Sequence, residues 1–266
     1  MCGIIGLAFN FPKEDEKTKP SIDALKEIFS DMLVKTQKMG ASATGVILLN
    51  KDNKITYAKT NKPAKDFVET NQYKELLNNF SEDTKFVIGH CRAAITGEAN
   101  NNKNNHPHIY GKTIGVHNGS ITKYKETAKE WGIKLFTECD SELIFALYNI
   151  LREHLSWSRW KSLNFINHQL KGTLAFAMLS QHDGGSLILY KNFNRLDLAK
   201  IKCRINDKQV WIFSSELYTI YSRYSNPDYI DIFDKDTYDS YLGRFGNNSA
   251  AIIEDPNKSP TILDFS

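Results

Sequence analysis

The sequence has no stretch approaching the ~20 consecutive apolar residues that a membrane-spanning helix needs. No charged, apolar and small-residue leader opens it either. Both absences argue against a membrane or exported protein. Cysteine is scarce: four residues, Cys2, Cys91, Cys139 and Cys203, lie far apart with no C-x-x-C pair. That excludes a disulfide framework as the basis of the fold and suggests reduced thiols in the cytoplasm. Charge of one sign is lacking as well. The formal net charge is only +3 and the basic residues are scattered, so neither nucleic acid nor a membrane surface is expected as a partner. No internal repeat, low-complexity linker, Gly-rich phosphate loop or clear domain boundary is present.

The 266 residues are 41% hydrophobic and 24% charged, the profile of a globular chain long enough to bury a real core. A β-rich apolar run covers Cys2 to Phe9. Ile22, Leu25, Ile28, Phe29, Met32 and Leu33 have helical spacing and predict a helix from Ser21, its expected N-cap, to Lys38. A strand pair is expected at Gly45 to Leu49 and Ile55 to Lys59, a second helix over Ala64 to Phe80, and a buried strand at Phe86 to His90. After an irregular stretch to Tyr110, Thr113 to His117 reads as a strand ended by the turn dipeptide Asn118-Gly119. Helices are expected at Ile121 to Trp131, Asp140 to His154 and Arg159 to Leu170. Two apolar strands flank Gly184-Gly185 and a third runs from Val210 to Ser214. From Tyr218 onward short strands mix with turns. Strands interleaved with helix pairs suggest sheets covered by helices. The Asn-rich run from Asn100 to Asn105 is left without a functional assignment.

Cys2, followed by Gly3-Ile4-Ile5-Gly6, is the most informative residue. An initiator Met is readily removed before so small a residue, which would leave a cysteine whose own α-amine lies beside its thiol. The two titrate near ~8 and ~8.5, so one can take the other's proton, and such a nucleophile needs no separate His or Asp. A small buried hydrophobe at a strand start is the structural alternative. Three clusters stand out further along: Gly89-His90-Cys91-Arg92 with Thr96-Gly97, Asn105-His106-Pro107-His108, and His117-Asn118-Gly119-Ser120-Ile121. A fourth, Glu138-Cys139-Asp140-Ser141-Glu142, opens a helix. Each has an ordinary reading: a turn for Asn118-Gly119, an N-cap for Asp140, a surface ion pair for Arg92. His106, His108 and His117 with His90 and Cys91 invite a zinc reading, but their spacing fits no common ligand pattern, and no metal is expected.

In this order, and with the terminal Cys-Gly-Ile-Ile-Gly, the clusters resemble the class II glutamine amidotransferase domain of the N-terminal-nucleophile hydrolases. Leu170 to Ala177 and Phe213-Ser214-Ser215-Glu216 extend the resemblance, which covers Cys2 to about Glu216. It implies a four-layer α/β/β/α sandwich, α+β in class, with two stacked, mainly antiparallel sheets between helices. The chain is then expected to form a single domain over 1–266, with the tail 217–266 unmatched. The resemblance also implies roles. Cys2 attacks the side-chain amide of L-glutamine and forms a γ-glutamyl thioester. Asn118 and Gly119 supply oxyanion donors, Arg92 takes the substrate carboxylate, and Asp140 takes the ammonium. His106 and His117 support the pocket floor. The segment from Ala93 to Asn105 either closes over glutamine or is a plain surface loop. No cofactor is implied.

The chain departs from the family at Ala93, where an aromatic residue is common, and at Ile95, where several members place Thr; the hydroxyl contact then shifts to Thr96 or is absent. Met39 and Ser42 replace an Arg and an Asp. No acceptor-synthase half follows Glu216, so a separately encoded ammonia-accepting synthase is expected as partner. The alternatives are a stand-alone γ-glutamyl amide hydrolase and a regulatory subunit that binds glutamine with weakened turnover.

Overall fold

In the computed structural model, residues 1–216, 233–240 and 245–265 are described. Alternation along the strands dictates the architecture. In β1 (Gly3–Phe9), Ile5, Leu7 and Phe9 belong to one buried cluster, while Ile4 and Ala8 belong to another. Successive side chains of a strand point to opposite faces, so a strand apolar at every position must be covered on both sides. The same division recurs in β2 (Ala43–Asn50), β4 (Thr84–Arg92) and β10 (Lys208–Ser214). These strands join β3 (Ile55–Thr60), β9 (Asp197–Cys203) and β11 (Phe233–Ser240) in a seven-stranded antiparallel sheet ordered β11-β9-β10-β1-β4-β2-β3.

A second antiparallel sheet is ordered β13-β12-β8-β7-β6-β5. Its strands are β5 (His108–Tyr110), β6 (Thr113–Ile121), β7 (Gly172–Ser180), β8 (Ser186–Lys191), β12 (Ser249–Ile253) and β13 (Thr261–Asp264). Val116, Ala177 and Leu189 of this sheet meet Ile4, Ile47, Ile88 and Phe213 of the first in the central core. Outside the first sheet lie α1 (Thr18–Thr36), α2 (Ala64–Phe67) and α3 (Asn71–Leu77), packed through Leu25, Phe29, Phe67 and Tyr73. Outside the second lie α4 (Tyr124–Glu130), α5 (Glu142–Glu153) and α6 (Arg159–Gln169), packed through Ala128, Phe145 and Leu163. The layers are therefore helix, sheet, sheet, helix, as expected. No helix among the described residues is long and apolar enough to cross a membrane.

Several local expectations change. The first helix begins at Thr18 with Pro20 in its first turn, where a missing N–H costs nothing. Ser21 is inside it, and its hydroxyl donates to the Lys17 carbonyl at 2.7 Å rather than capping. The 64–80 helix is two, the second capped by Thr70, whose hydroxyl accepts from the Tyr73 N–H at 3.2 Å. Strand β9, with Lys200 and Lys202 breaking its apolar run, was not expected. Helix α4 starts later than Ile121, which ends β6. Of the tail, 217–232, 241–244 and 266 lie outside the described residues, while β12 and β13 complete the second sheet.

Gly6 shows how closely the central layer is packed. It pairs with Phe213 across β1 and β10, and a Cβ there would sit 2.0 Å from the Phe213 ring. The fully buried Phe213 ring thus occupies space that only glycine leaves free. Phe213→Ala is expected to cost about 3–5 kcal/mol of stability, read from the urea unfolding midpoint; a loss below about 1 kcal/mol would contradict this packing.

Candidate active site

Cys2 stands immediately before β1 and is buried, while Met1 is exposed. Pairing of Gly3 with Cys91 sets the start of β1 beside the end of β4. From the second sheet, Asn118 reaches across: its Oδ1 accepts the Cys2 N–H at 2.9 Å. Because Oδ1 is engaged there, the Nδ2 end of the amide is left without a hydrogen bond to any of the described residues. The Asn118 carbonyl accepts from Asn194 Nδ2 at 2.9 Å. The Cys2 thiol approaches the Ala93 carbonyl at 3.6 Å. Burial pushes the thiol above its ordinary range, opposed by that contact and by the positive charge of Arg92.

Asn118-Gly119 is not a turn. Both residues lie inside β6, paired with Ala175 and Leu174 of β7. Gly119 has φ +152°, and a Cβ there would lie 1.8 Å from the Thr173 carbonyl oxygen and 2.6 Å from His117 Nε2. Glycine is therefore required by the approach of β7, and the strand runs on past the site instead of ending at it.

Arg92, at the end of β4, is buried. Its Nη2 donates to the carbonyls of Thr96 at 2.5 Å and Gly97 at 2.7 Å, and its Nη1 to Asn105 Oδ1 at 2.6 Å. Three of its five N–H donors thus hold the segment that follows it. The asparagine run completes this anchoring. Buried Asn104 accepts from the Glu138 N–H at 2.9 Å and donates to Glu138 Oε2 at 2.8 Å, and Asn105 donates to the Ala99 carbonyl at 2.8 Å. Ser42 secures the loop's start: its N–H donates to the Arg92 carbonyl at 2.9 Å and its hydroxyl accepts from the Ala94 N–H at 3.3 Å. Met39 lies beside Gly3, where a glycine Cβ would meet its own Cβ at 3.3 Å.

Asp140 precedes α5 but does not cap it. Its Oδ2 accepts from the Ile121 N–H at 2.6 Å, tying the turn to the end of β6. The turn itself is shaped by buried Glu142, whose carboxylate accepts from the N–H groups of Phe136 and Thr137 and from the Thr137 hydroxyl. His117 is held at both nitrogens. Nε2 faces the Thr173 carbonyl at 3.3 Å, which can only accept, so Nε2 carries the proton and Nδ1 accepts from the Ser141 hydroxyl at 2.9 Å. His90 Nε2 likewise faces the His117 carbonyl at 3.1 Å. His90 stacks on His106 at 4.0 Å between ring centroids, and His106 meets His108 edge-on at 4.5 Å. Burial keeps all four imidazoles neutral, with His90 pushed down to about 3. Beside them the Lys59 ammonium donates to the carbonyls of Asn105 at 2.7 Å and Pro107 at 3.1 Å; its own burial lowers it to about 8.

One cavity of about 140 Å³ is lined by each residue assigned from the sequence to catalysis, substrate binding or pocket support: Cys2, Arg92, Thr96, His106, His117, Asn118, Gly119 and Asp140. Its volume is below the ~300–1,000 Å³ of pockets for drug-sized ligands and suits a small, amino-acid-sized molecule. A thiol, an amide donor without a partner among the described residues, a cation and a carboxylate converge on it, groups that together could hold a zwitterion beside a sulfur. Sequence reading missed Asn194, Thr173 and Ser141, which also line it. Ser141 sat inside a recognised cluster; Asn194 lies in a connection with no motif and reaches the site only through the fold.

No protein-family model matches the chain. Over 223 residues it is 25% identical to the glutamine–fructose-6-phosphate aminotransferase (isomerizing) of Campylobacter jejuni, covering 81% of this chain and 32% of that one. The amidophosphoribosyltransferase of Pasteurella multocida is 25% identical over 237 residues, 81% of this chain and 42% of that one. The chain thus spans well under half the length of these curated relatives. A solved structure of the allosteric regulatory enzyme of purine biosynthesis superposes with a TM-score of 0.69 at 17% identity, covering all of this chain and 49% of that one. That likeness is one of fold.

The demand for glycine at position 119 is open to test. Gly119→Ala should cost about 1–3 kcal/mol, measured by chemical denaturation, while Gly246→Ala, with nothing within 4 Å of its added Cβ, should be near neutral. Equal effects at the two positions would contradict the close approach of β7.

Proposed function

We infer that this chain, a class II glutamine amidotransferase domain of the N-terminal-nucleophile type by sequence and fold, hydrolyses the side-chain amide of L-glutamine with Cys2 as nucleophile. The observation that carries this reading is the 2.9 Å hydrogen bond between the Cys2 nitrogen and Asn118 in a cavity that also holds Arg92 and Asp140. Removal of the exposed Met1 turns that nitrogen into an α-amine already anchored by Asn118 Oδ1. The amine takes the thiol proton as Sγ attacks the amide carbon. The Asn118 Nδ2 and the Gly119 N–H receive the developing oxyanion. The amine then returns the proton to departing ammonia, leaving a γ-glutamyl thioester that water cleaves to glutamate and free Cys2.

Arg92 pairs with the substrate α-carboxylate and Asp140 with its α-ammonium, with the Thr96 hydroxyl as an added donor. Both Nη2 hydrogens are engaged by the Thr96 and Gly97 carbonyls, so a two-pronged grip on a carboxylate requires one carbonyl to let go. Glutamine binding is then coupled to a shift of the 96–97 segment, which is the form of lid motion that these contacts support. His106 and His117 position the cavity walls. The two stacked sheets act as one domain, and the ammonia formed at Cys2 goes to an acceptor synthase.

Intact-mass analysis with 6-diazo-5-oxonorleucine tests the mechanism. Loss of Met1 and one glutamine-protected adduct on Cys2 are the expected result; Met1 retained, or no protected adduct, overturns it and favours a binding subunit. Asn118→Ala should lower kcat/KM for glutamine by about 100- to 1,000-fold, corresponding to ~2.7–4 kcal/mol of lost oxyanion stabilisation. A change under about threefold would remove Asn118 from the oxyanion site.

A further inference from the structure

The imidazole cluster holds more buried nitrogens than it has partners. His106 Nδ1 and Nε2 and His108 Nε2 make no hydrogen bond to any described residue, although both side chains are 3% exposed or less. A buried polar group without a partner loses its hydration and regains nothing. The fold brings to them a thiol that spacing alone does not suggest. Cys139, from the turn before α5, is equally buried, and one ligand atom from each of His106, His108 and Cys139 lies within 4.8 Å of the others. His106 and His108 flank Pro107 at the entry to β5, and their rings meet edge-on at 4.5 Å between centroids. Among the described residues, the Cys139 Sγ hydrogen-bonds the Ser141 hydroxyl at 3.4 Å and Asp140 Oδ1 at 3.8 Å.

We propose that His106, His108 and Cys139 form a binding site for a divalent transition-metal ion of the zinc class. Two imidazoles and a thiolate are borderline-soft donors that suit Zn²⁺ or Co²⁺ and disfavour Mg²⁺ or Ca²⁺. Tetrahedral bonds of about 2.0–2.3 Å place ligand atoms ~3.3–3.8 Å apart, so binding draws the three together by roughly an ångström. On binding, the Cys139 S–H bond breaks, its proton passes to solvent, and a metal–sulfur bond forms with no change in oxidation state. Lys59 beside the cluster favours the thiolate and opposes the dication; the carbonyls of Asn105 and Pro107 already engage its ammonium. Three protein ligands leave a fourth position for water or a small anion. The site stands in a wall between two spaces. His106 and Cys139 border the Cys2 cavity, and His108 borders a neighbouring cavity of about 310 Å³ lined also by Lys59, Phe136 and Glu142. A bound ion would clamp the His106–His108 segment to the turn carrying Asp140.

The full chain, stripped of metal with a chelator, is titrated with Zn²⁺ against a chromophoric competitor and, separately, with Co²⁺. One equivalent of Zn²⁺ and a thiolate-to-cobalt charge-transfer band are expected. Both should persist in Cys2→Ser. The band should vanish in Cys139→Ser, and Zn²⁺ affinity should fall by at least about 10- to 100-fold in His108→Gln, with circular dichroism reporting that each variant is folded. Absence of stoichiometric binding by the folded wild-type chain overturns the proposal. So does binding abolished by Cys2→Ser yet indifferent to Cys139→Ser, since the ion then sits on the nucleophile. These readouts do not depend on glutamine hydrolysis.

Discussion

Everything in this molecule follows from two antiparallel sheets that must each be covered on both faces. An antiparallel sheet commonly leaves one face to water. Here Ile4, Ile47, Ile88 and Phe213 on one sheet and Val116, Ala177 and Leu189 on the other leave neither inner face wet. The sheets are thereby locked face to face, and helices close the outer faces. A site built from the start of β1, the end of β4 and the interior of β6 inherits that rigidity. The Cys2–Asn118 hydrogen bond, which joins residues 116 positions apart, exists because the packed inner faces fix the separation of the two sheets.

Around that apolar frame the polar residues are handled by mutual satisfaction. Buried polar groups are costly unless paired, and Arg92, Asn104, Asn105, Glu142 and Asp140 spend their hydrogen-bonding capacity on backbone groups of the segments that wall the cavity. A long irregular loop thus becomes an ordered wall. The same arrangement makes Arg92 both a tie for the loop and a positive charge acting on the Cys2 thiol. The histidines are the exception to this economy. His117 is satisfied at both nitrogens, whereas His106 is satisfied at neither.

Electrostatically the cavity favours neutral groups until a ligand arrives. Burial raises the Cys2 thiol and lowers the imidazoles. The Cys2 nitrogen is itself held in place, donating to Asn118 Oδ1 at 2.9 Å.

Periodicity made most of the strands and the core face of α1 readable, because apolar spacing is a local property. Residue type and motif order likewise marked Cys2, Arg92, Asn118, Gly119 and Asp140, and the fold brings all five to one cavity. Local reading failed where distant chain decides. Asn118-Gly119 has the composition of a turn, but β7 beside it extends the strand through it. Asp140 has the look of a cap, but the nearest unpaired donor is Ile121 across the gap between elements. Strand β9 is interrupted by lysines and acquires its identity only from β10 and β11 on either side. The asparagine run carries no periodic signal, yet Asn104 and Asn105 are fully buried. The gathering of His106, His108 and Cys139 is invisible to spacing because a turn and a strand entry supply it from separate stretches. Residue types and amphipathic segments are local properties that the chain carries with it unfolded; which groups share a wall is settled by folding, because hydrogen-bond partners and ligand sets depend on distances between strands brought together from far apart.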